Sequence, residues 1–152
     1  MNPRLRSVLA GLGVAVLATA CGGGGSPTST PAPTATPGPL AGGVVAEFDV
    51  TGERFKVWVT NAETIQQLFA LQAGESTASI PNGELLTGPG QGDHNLPWSW
   101  HLDPEEIAMA DLTIEVCDGA LGYIEEHLDE FIDEVGRYCP WGAELVGLTD
   151  HR

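Results

Sequence analysis

His94, His101, Asp103, Glu115 and Asp118 are the side chains whose types and proximity in the chain could support chemistry. Imidazole and carboxylate donors together suit zinc or a similar divalent ion. In a strand reading of residues 98–102 and 112–116, His101 and Glu115 both fall on the polar side. If those strands pair, the two side chains meet, and Asp93 and His94 approach from the preceding loop. His94, His101 and Glu115 are therefore the candidate metal ligands. A plainer account uses the same residues structurally. Asp103 is placed to cap a helix, Asp118 to make a turn, and His101 to hydrogen-bond with Glu115. Neither H-E-x-x-H nor an EF-hand loop is present.

Nucleophilic catalysis has less to work with. Ser99 and His101 would point the same way from one strand, ~7 Å apart, too far for a dyad. No G-x-S-x-G occurs. A glycosidase needs two opposed carboxylates, but among 21 Asp and Glu residues no pair is a signal. No residue is assigned as catalytic, and no cofactor is implied.

Trp58, Trp98, Trp100 and Trp141 are four large aromatics in a short chain. Packing accounts for at least two of them; an exposed one could stack on a sugar or anchor a protein. The surface expected to bind combines Asp93, His94, Trp98, Trp100, His101 and Trp141.

Local patterns suggest the elements that position these groups. Val44 to Val50 and Phe55 to Val59 read as a β-hairpin across Thr51-Gly52-Glu53. Thr60-Asn61-Ala62-Glu63 fits a capping box for a helix from Ala62 to Ala73, with Gly74 closing it. Glu75 to Asn95 reads as a Gly/Pro-broken surface loop holding one short strand at Leu85-Leu86, and it is the candidate binding rim. Trp98 to Leu102 alternates as a strand. Asp103-Pro104-Glu105-Glu106 starts a short helix ending near Ala110. Leu112, Ile114 and Val116 mark another strand. Leu121, Ile124, Leu128, Phe131, Ile132 and Val135 make the stripe of an amphipathic helix ended by Gly136. Glu144 to Leu148 forms a last strand. The fold class is α+β: an antiparallel sheet with two main helices packed on one face and one disulfide.

The N-terminus carries an address. Arg4 and Arg6 precede a short apolar run, then Ala18-Thr19-Ala20-Cys21, as in a secretory signal over residues 1–20. A Cys directly after the small residues looks like a bacterial lipoprotein signal, with Cys21 as the lipidation site; an ordinary cleaved signal is the alternative. Residues 21–42 are almost wholly Gly, Pro, Ser, Thr and Ala, a tether that cannot bury enough apolar surface to fold. Residues 43–152 make one globular domain. The chain has 152 residues and a formal net charge of −15, and all of its acidic residues lie in that domain. This acidity speaks against nucleic acid, whose phosphates need Lys and Arg. The expected location is the bacterial cell envelope on the extracytoplasmic side, with membrane contact through the lipid alone.

Cys117 and Cys139 then remain, and two cysteines in an exported domain pair as a disulfide. Closing a loop of about 20 residues contributes ~3 kcal/mol. A redox-active or metal-binding pair would call for a C-x-x-C spacing, which is absent.

Asn95-Leu96-Pro97-Trp98-Ser99-Trp100-His101-Leu102-Asp103-Pro104, Glu115-Val116-Cys117-Asp118-Gly119 and Tyr138-Cys139-Pro140-Trp141 together resemble the BP-seventy-four-related family of small exported domains, over about Val44 to Leu148. The resemblance implies a single intact domain and a disulfide. It implies no reaction and no functional residue.

Three functions fit. The first is a non-enzymatic, lipid-anchored binding module for an unknown protein or small molecule, with a protease inhibitor as a sub-case. The second is a metal-assisted hydrolase using His94, His101 and Glu115. The third is a structural envelope component. The absence of a catalytic motif favours the binding module.

Overall fold

The computed structural model describes residues 39–152. The expected signal segment, Cys21 and all but the last residues of the expected tether lie outside the described residues. The domain is α+β, with antiparallel strands in two sheets rather than the expected one. Strand β1 (Val44–Val50) is central in the first sheet, between β2 (Glu53–Val59) and β7 (Ala143–Asp150). The β1–β2 hairpin turns on Thr51 and Gly52, both at positive φ, and the Asp49 carboxylate accepts from the Gly52 N–H at 2.8 Å. Alternation along β1 sends Val44, Ala46, Phe48 and Val50 into the core and Val45, Glu47 and Asp49 outward. The register between β1 and β7 shifts after Glu47, where Gly147 stands opposite Glu47 and Leu145 opposite Phe48. Val146 is the extra residue of this bulge.

Helix α1 (Ala62–Gln72) begins as the capping chemistry requires, although the cap is Asn61 rather than Thr60. The Asn61 side chain accepts from the N–H groups of Glu63 and Thr64. At the other end Gly74, at φ +74°, donates to Leu71, and Glu75 donates to Ala70, which closes the helix.

Strand β3 (Ile80–Thr87) is central in the second sheet and corrects the loop expected from Glu75 to Asn95. It pairs with β4 (Trp100–Leu102), β5 (Ala108–Ala110) and β6 (Arg137–Tyr138). Pro81-Asn82-Gly83 is no turn. Gly83 is needed because a Cβ there would come within 3.0 Å of Ile107 and 3.2 Å of Leu102. The glycine signals close approach inside a sheet.

Three further expectations change. Asp103-Pro104-Glu105-Glu106 makes a single turn, with Glu106 donating to the Asp103 carbonyl, and the chain then extends into β5. Burial of Ile107 and pairing of Met109 with Pro81 leave no room for a helix. Leu112, Ile114 and Val116 form no strand; they are 79%, 69% and 58% exposed, and Glu115–Cys117 is a 3-10 turn. The helix expected from Leu121 to Val135 breaks at His127 into α2 (Leu121–Glu126), α3 (Leu128–Glu130) and a π-helical turn (Phe131–Val135). The apolar stripe survives the break, since Leu121, Ile124 and Phe131 are all buried. The wider last turn closes when Gly136 donates to Phe131, five residues back.

The core lies between the sheets. Phe55 stands 5.6 Å from Phe48, 5.7 Å from Trp100 and 5.8 Å from Tyr138, ring centre to ring centre. Such offset and edge contacts contribute beyond simple burial. The Tyr138 hydroxyl donates to the Gly119 carbonyl at 2.8 Å, and burial pushes its pKa far above the usual range. The Cys117–Cys139 disulfide is present, and the Cys139 N–H donates to the Cys117 carbonyl.

Candidate functional site: a pocket on the outer face of the first sheet

The outer face of the first sheet carries Trp58, buried edge to face against His151, and beside it a row of smaller and polar side chains. Glu47 stands opposite both Lys56 on β2 and Gly147 on β7, and Val45 stands opposite Thr149. Over this face folds the loop between β3 and β4. Its anchor is Asn95, which is buried. The Asn95 carboxamide oxygen accepts from the Lys56 N–H at 2.7 Å, and its nitrogen donates to the Trp100 carbonyl at 2.7 Å. The Trp98 indole N–H donates to the Arg54 carbonyl at 2.8 Å. β2 is an edge strand of its sheet, so these bonds occupy groups that would otherwise be open to another chain.

The loop brings His94 onto the sheet. A pocket of about 320 Å³ lies there, floored by the outward residues of β1, β2 and β7 and walled by Leu40, His94 and His151. This is a small-ligand volume, at the low end of the ~300–1,000 Å³ typical of such sites. His151 is held in place because it exchanges backbone hydrogen bonds with Gly42 and Gly43, extending the β1–β7 pairing. Gly147 leaves the floor open: nothing lies within 4 Å of where its Cβ would stand.

His94 is only 7% exposed. Its Nδ1 faces the Gln91 carbonyl at 3.0 Å. A carbonyl can only accept, so Nδ1 carries the proton. Nε2 is buried without a partner. Burial lowers the His94 pKa below 6.5; the hydrogen bond to Gln91 opposes this, while His101 and Lys56 reinforce it. At neutral pH the ring is therefore uncharged, and Nε2 presents a lone pair. His101 is arranged alike, with Nδ1 at 2.8 Å from the Gly88 carbonyl. The two rings meet edge to face at 6.0 Å. Gly90 passes between them at φ +78°, where a Cβ would collide with His94 and lie 3.0 Å from His101.

The structure thus joins Asp93, His94, Trp98, Trp100 and His101 in one loop-and-strand unit, but with unequal roles. Trp100 is wholly buried and belongs to the core. Trp98 is half-buried and pins the loop. Trp141 lies apart from them in the chain and is 39% exposed, its N–H donating to Asp118 beside the disulfide. Glu115 sits exposed on its 3-10 turn. Among the described residues no three His, Cys, Asp or Glu side chains gather as a metal site, so the expected set of His94, His101 and Glu115 is not assembled. The expected strand from Leu112 to Val116, which would have carried Glu115 to His101, does not form.

Sequence reasoning missed Lys56, Asn95, Gly147 and His151. One signal was available: Lys56 is the only lysine in the chain.

Fold and site together describe a small disulfide-stapled α+β domain with a half-covered pocket on one sheet. Residues 43–151 match the BP-seventy-four N-terminal domain, and the chain belongs to that family. No curated protein and no solved structure matches it.

Proposed function

We propose that this protein is a non-enzymatic binding module that takes a small molecule in the pocket beside Lys56, His94 and His151. An N-terminal lipid on Cys21 and the tether that follows hold it at the extracytoplasmic face of a bacterial envelope. The observation that carries the binding reading is the open pocket of about 320 Å³, with the buried His94 ring on its wall. A fragment screen by thermal shift tests this. Hits should stabilise the wild type and fail with Gly147→Phe, whose ring fills the floor. Hits that stabilise both proteins equally would place binding elsewhere.

The anchoring reading rests on the sequence around Cys21. Cys21→Ser should release the protein from the membrane fraction and abolish labelling by a clickable fatty acid. Retention of both would contradict it.

A second reading is favoured by one observation, the exposed run of Leu112, Ile114 and Val116 beside the Cys117–Cys139 staple. An exposed segment ending in a disulfide suits a protein partner, including a protease that it would inhibit. Slow, stoichiometric inhibition of a serine protease, lost in Leu112→Asp, would support it. Rapid cleavage between Leu112 and Val116 would not.

A further inference from the structure

We propose that the β3–β4 loop, residues 88–99, is an acid-operated latch: a proton taken up by His94 releases the loop from the first sheet and uncovers both the pocket and the edge of β2. The inference does not depend on what the pocket binds. It starts from what holds the loop down. Between Thr87 and Trp100 the buried residues are His94 and Asn95, and both are polar. Leu96 is 60% exposed, and the half-buried Trp98 supplies the main apolar contact. The side-chain ties to β2 are the Asn95 bond to the Lys56 N–H and the Trp98 bond to the Arg54 carbonyl. Segments held by so few buried apolar contacts open locally, at a lower free energy than global unfolding. The base of the loop has its own tie, the Gly88 N–H to the Ser99 carbonyl, so the loop can lift as a unit.

His94 is seated as a neutral ring. Its Nδ1 proton is committed to the Gln91 carbonyl, and Nε2 is buried without a partner. A proton on Nε2 would create a buried, charged donor with nothing to receive it, which is costly. The charged and titratable groups around the ring do not offset that cost. Lys56 on β2, Glu47 on β1 and His151 after β7 line the same pocket, His101 on β4 meets the ring edge to face, and Asp93 precedes it in the loop. Glu47 is engaged by Arg54 at 3.3 Å, and among the described residues no carboxylate pairs with His94. Burial is the chief reason that the His94 pKa lies below 6.5; the Gln91 bond opposes it, and His101 and Lys56 add to it. The open loop therefore takes up the proton more readily than the docked one. Docking is at full strength above pH 6.5 and is lost as pH falls towards the lowered value. Opening bares the Lys56 N–H on the β2 edge and removes the wall that His94 gives the pocket.

Amide hydrogen exchange, followed by NMR in the full-length protein in mild detergent between pH 7.5 and 5.0, reads the latch. The Lys56 N–H, bonded to Asn95, reports loop opening, and the Ala46 and Phe48 amides of the central strand β1 report global unfolding. Rates are corrected for the intrinsic pH dependence of exchange. Lys56 should be at least about tenfold less protected than the β1 amides at every pH, as local opening requires. Its protection should fall below pH 6.5 by up to about tenfold per pH unit, the limit for one proton. His94→Gln and His94→Phe, which cannot titrate, should each flatten that fall. Equal protection of Lys56 and β1 throughout would mean that the loop leaves only when the domain unfolds, and would overturn the latch. So would a fall that survives both substitutions. The wild type decides even if neither variant folds: the His94 ring nitrogens should titrate together with the loss of Lys56 protection, and a ring that gains its proton while Lys56 stays protected would equally overturn the proposal.

Discussion

At the scale of single residues, His94 and Asn95 set the local chemistry. They are adjacent in sequence, both are buried, and each is polar. Asn95 is fully engaged: its amide bridges the edge of one sheet to a strand of the other. Asn95→Ala strands the Lys56 N–H and the Trp100 carbonyl and should cost about 1–3 kcal/mol, read as a lower urea midpoint with an unchanged m-value. His94 makes stability depend on pH. Its folded pKa lies below 6.5, so the unfolded chain takes up a proton first as pH falls. The contribution is fully present above pH 6.5 and is lost as pH falls towards the lowered value. Urea titrations at pH 7.5, 6.5 and 5.5 should show this decline in the wild type and a flatter one in His94→Gln. Equal slopes would place the pH dependence elsewhere. His94 was legible as a chemical group in the sequence, from its type and its place beside His101. Lys56 was hidden as one polar position in an alternating strand, and only the fold shows that it lines the pocket.

At the scale of elements, legibility followed how local the causes are. The β1–β2 hairpin and α1 emerged close to their expected bounds, because turn and cap chemistry lies within a few residues. Strand β3 did not emerge, because Gly83 reports contact with Ile107 and Leu102 from distant parts of the chain. The alternation at Leu112, Ile114 and Val116 had the right period and the wrong cause, since these apolar side chains are the exposed ones and Thr113 between them is half-buried. Leu112→Ser and Ile114→Ser should therefore change stability by no more than about 0.5 kcal/mol; a loss of several kcal/mol would mean that the segment packs in solution. The β3–β4 loop depends on Gly90. Gly90→Ala meets both a positive-φ, extended-ψ conformation open essentially to glycine, worth about 1–3 kcal/mol, and the two imidazoles, so it should destabilise by more than that penalty and disturb the His94 signals.

At the scale of the whole molecule, a small domain relies on two devices. One is the aromatic cluster of Phe48, Phe55, Trp100 and Tyr138 between the sheets. The other is the disulfide, whose cysteines stand 22 positions apart. Replacing both cysteines by serine should cost about 3 kcal/mol, measured as a urea midpoint against the oxidised wild type. Two cysteines left to pair in a domain that the sequence reads as exported made this bridge an expectation. The two-sheet arrangement was not readable, because strand neighbours are set by pairing over long separations such as β1 with β7.

The pocket joins these scales: Gly147 leaves its floor open, a loop anchored by Asn95 half-covers it, and Glu47, Lys56 and His94 give it polarity. Its most direct test is the side-chain nitrogen spectrum of His94 in the full-length protein, recorded with and without the hits of a fragment library. The expected spectrum is that of a neutral ring protonated at Nδ1, whose Nε2 resonance moves on binding in the wild type and stays still in Gly147→Phe. A ring protonated at Nε2 in the free protein, or an Nε2 resonance that no hit moves while the domain is folded, would contradict it.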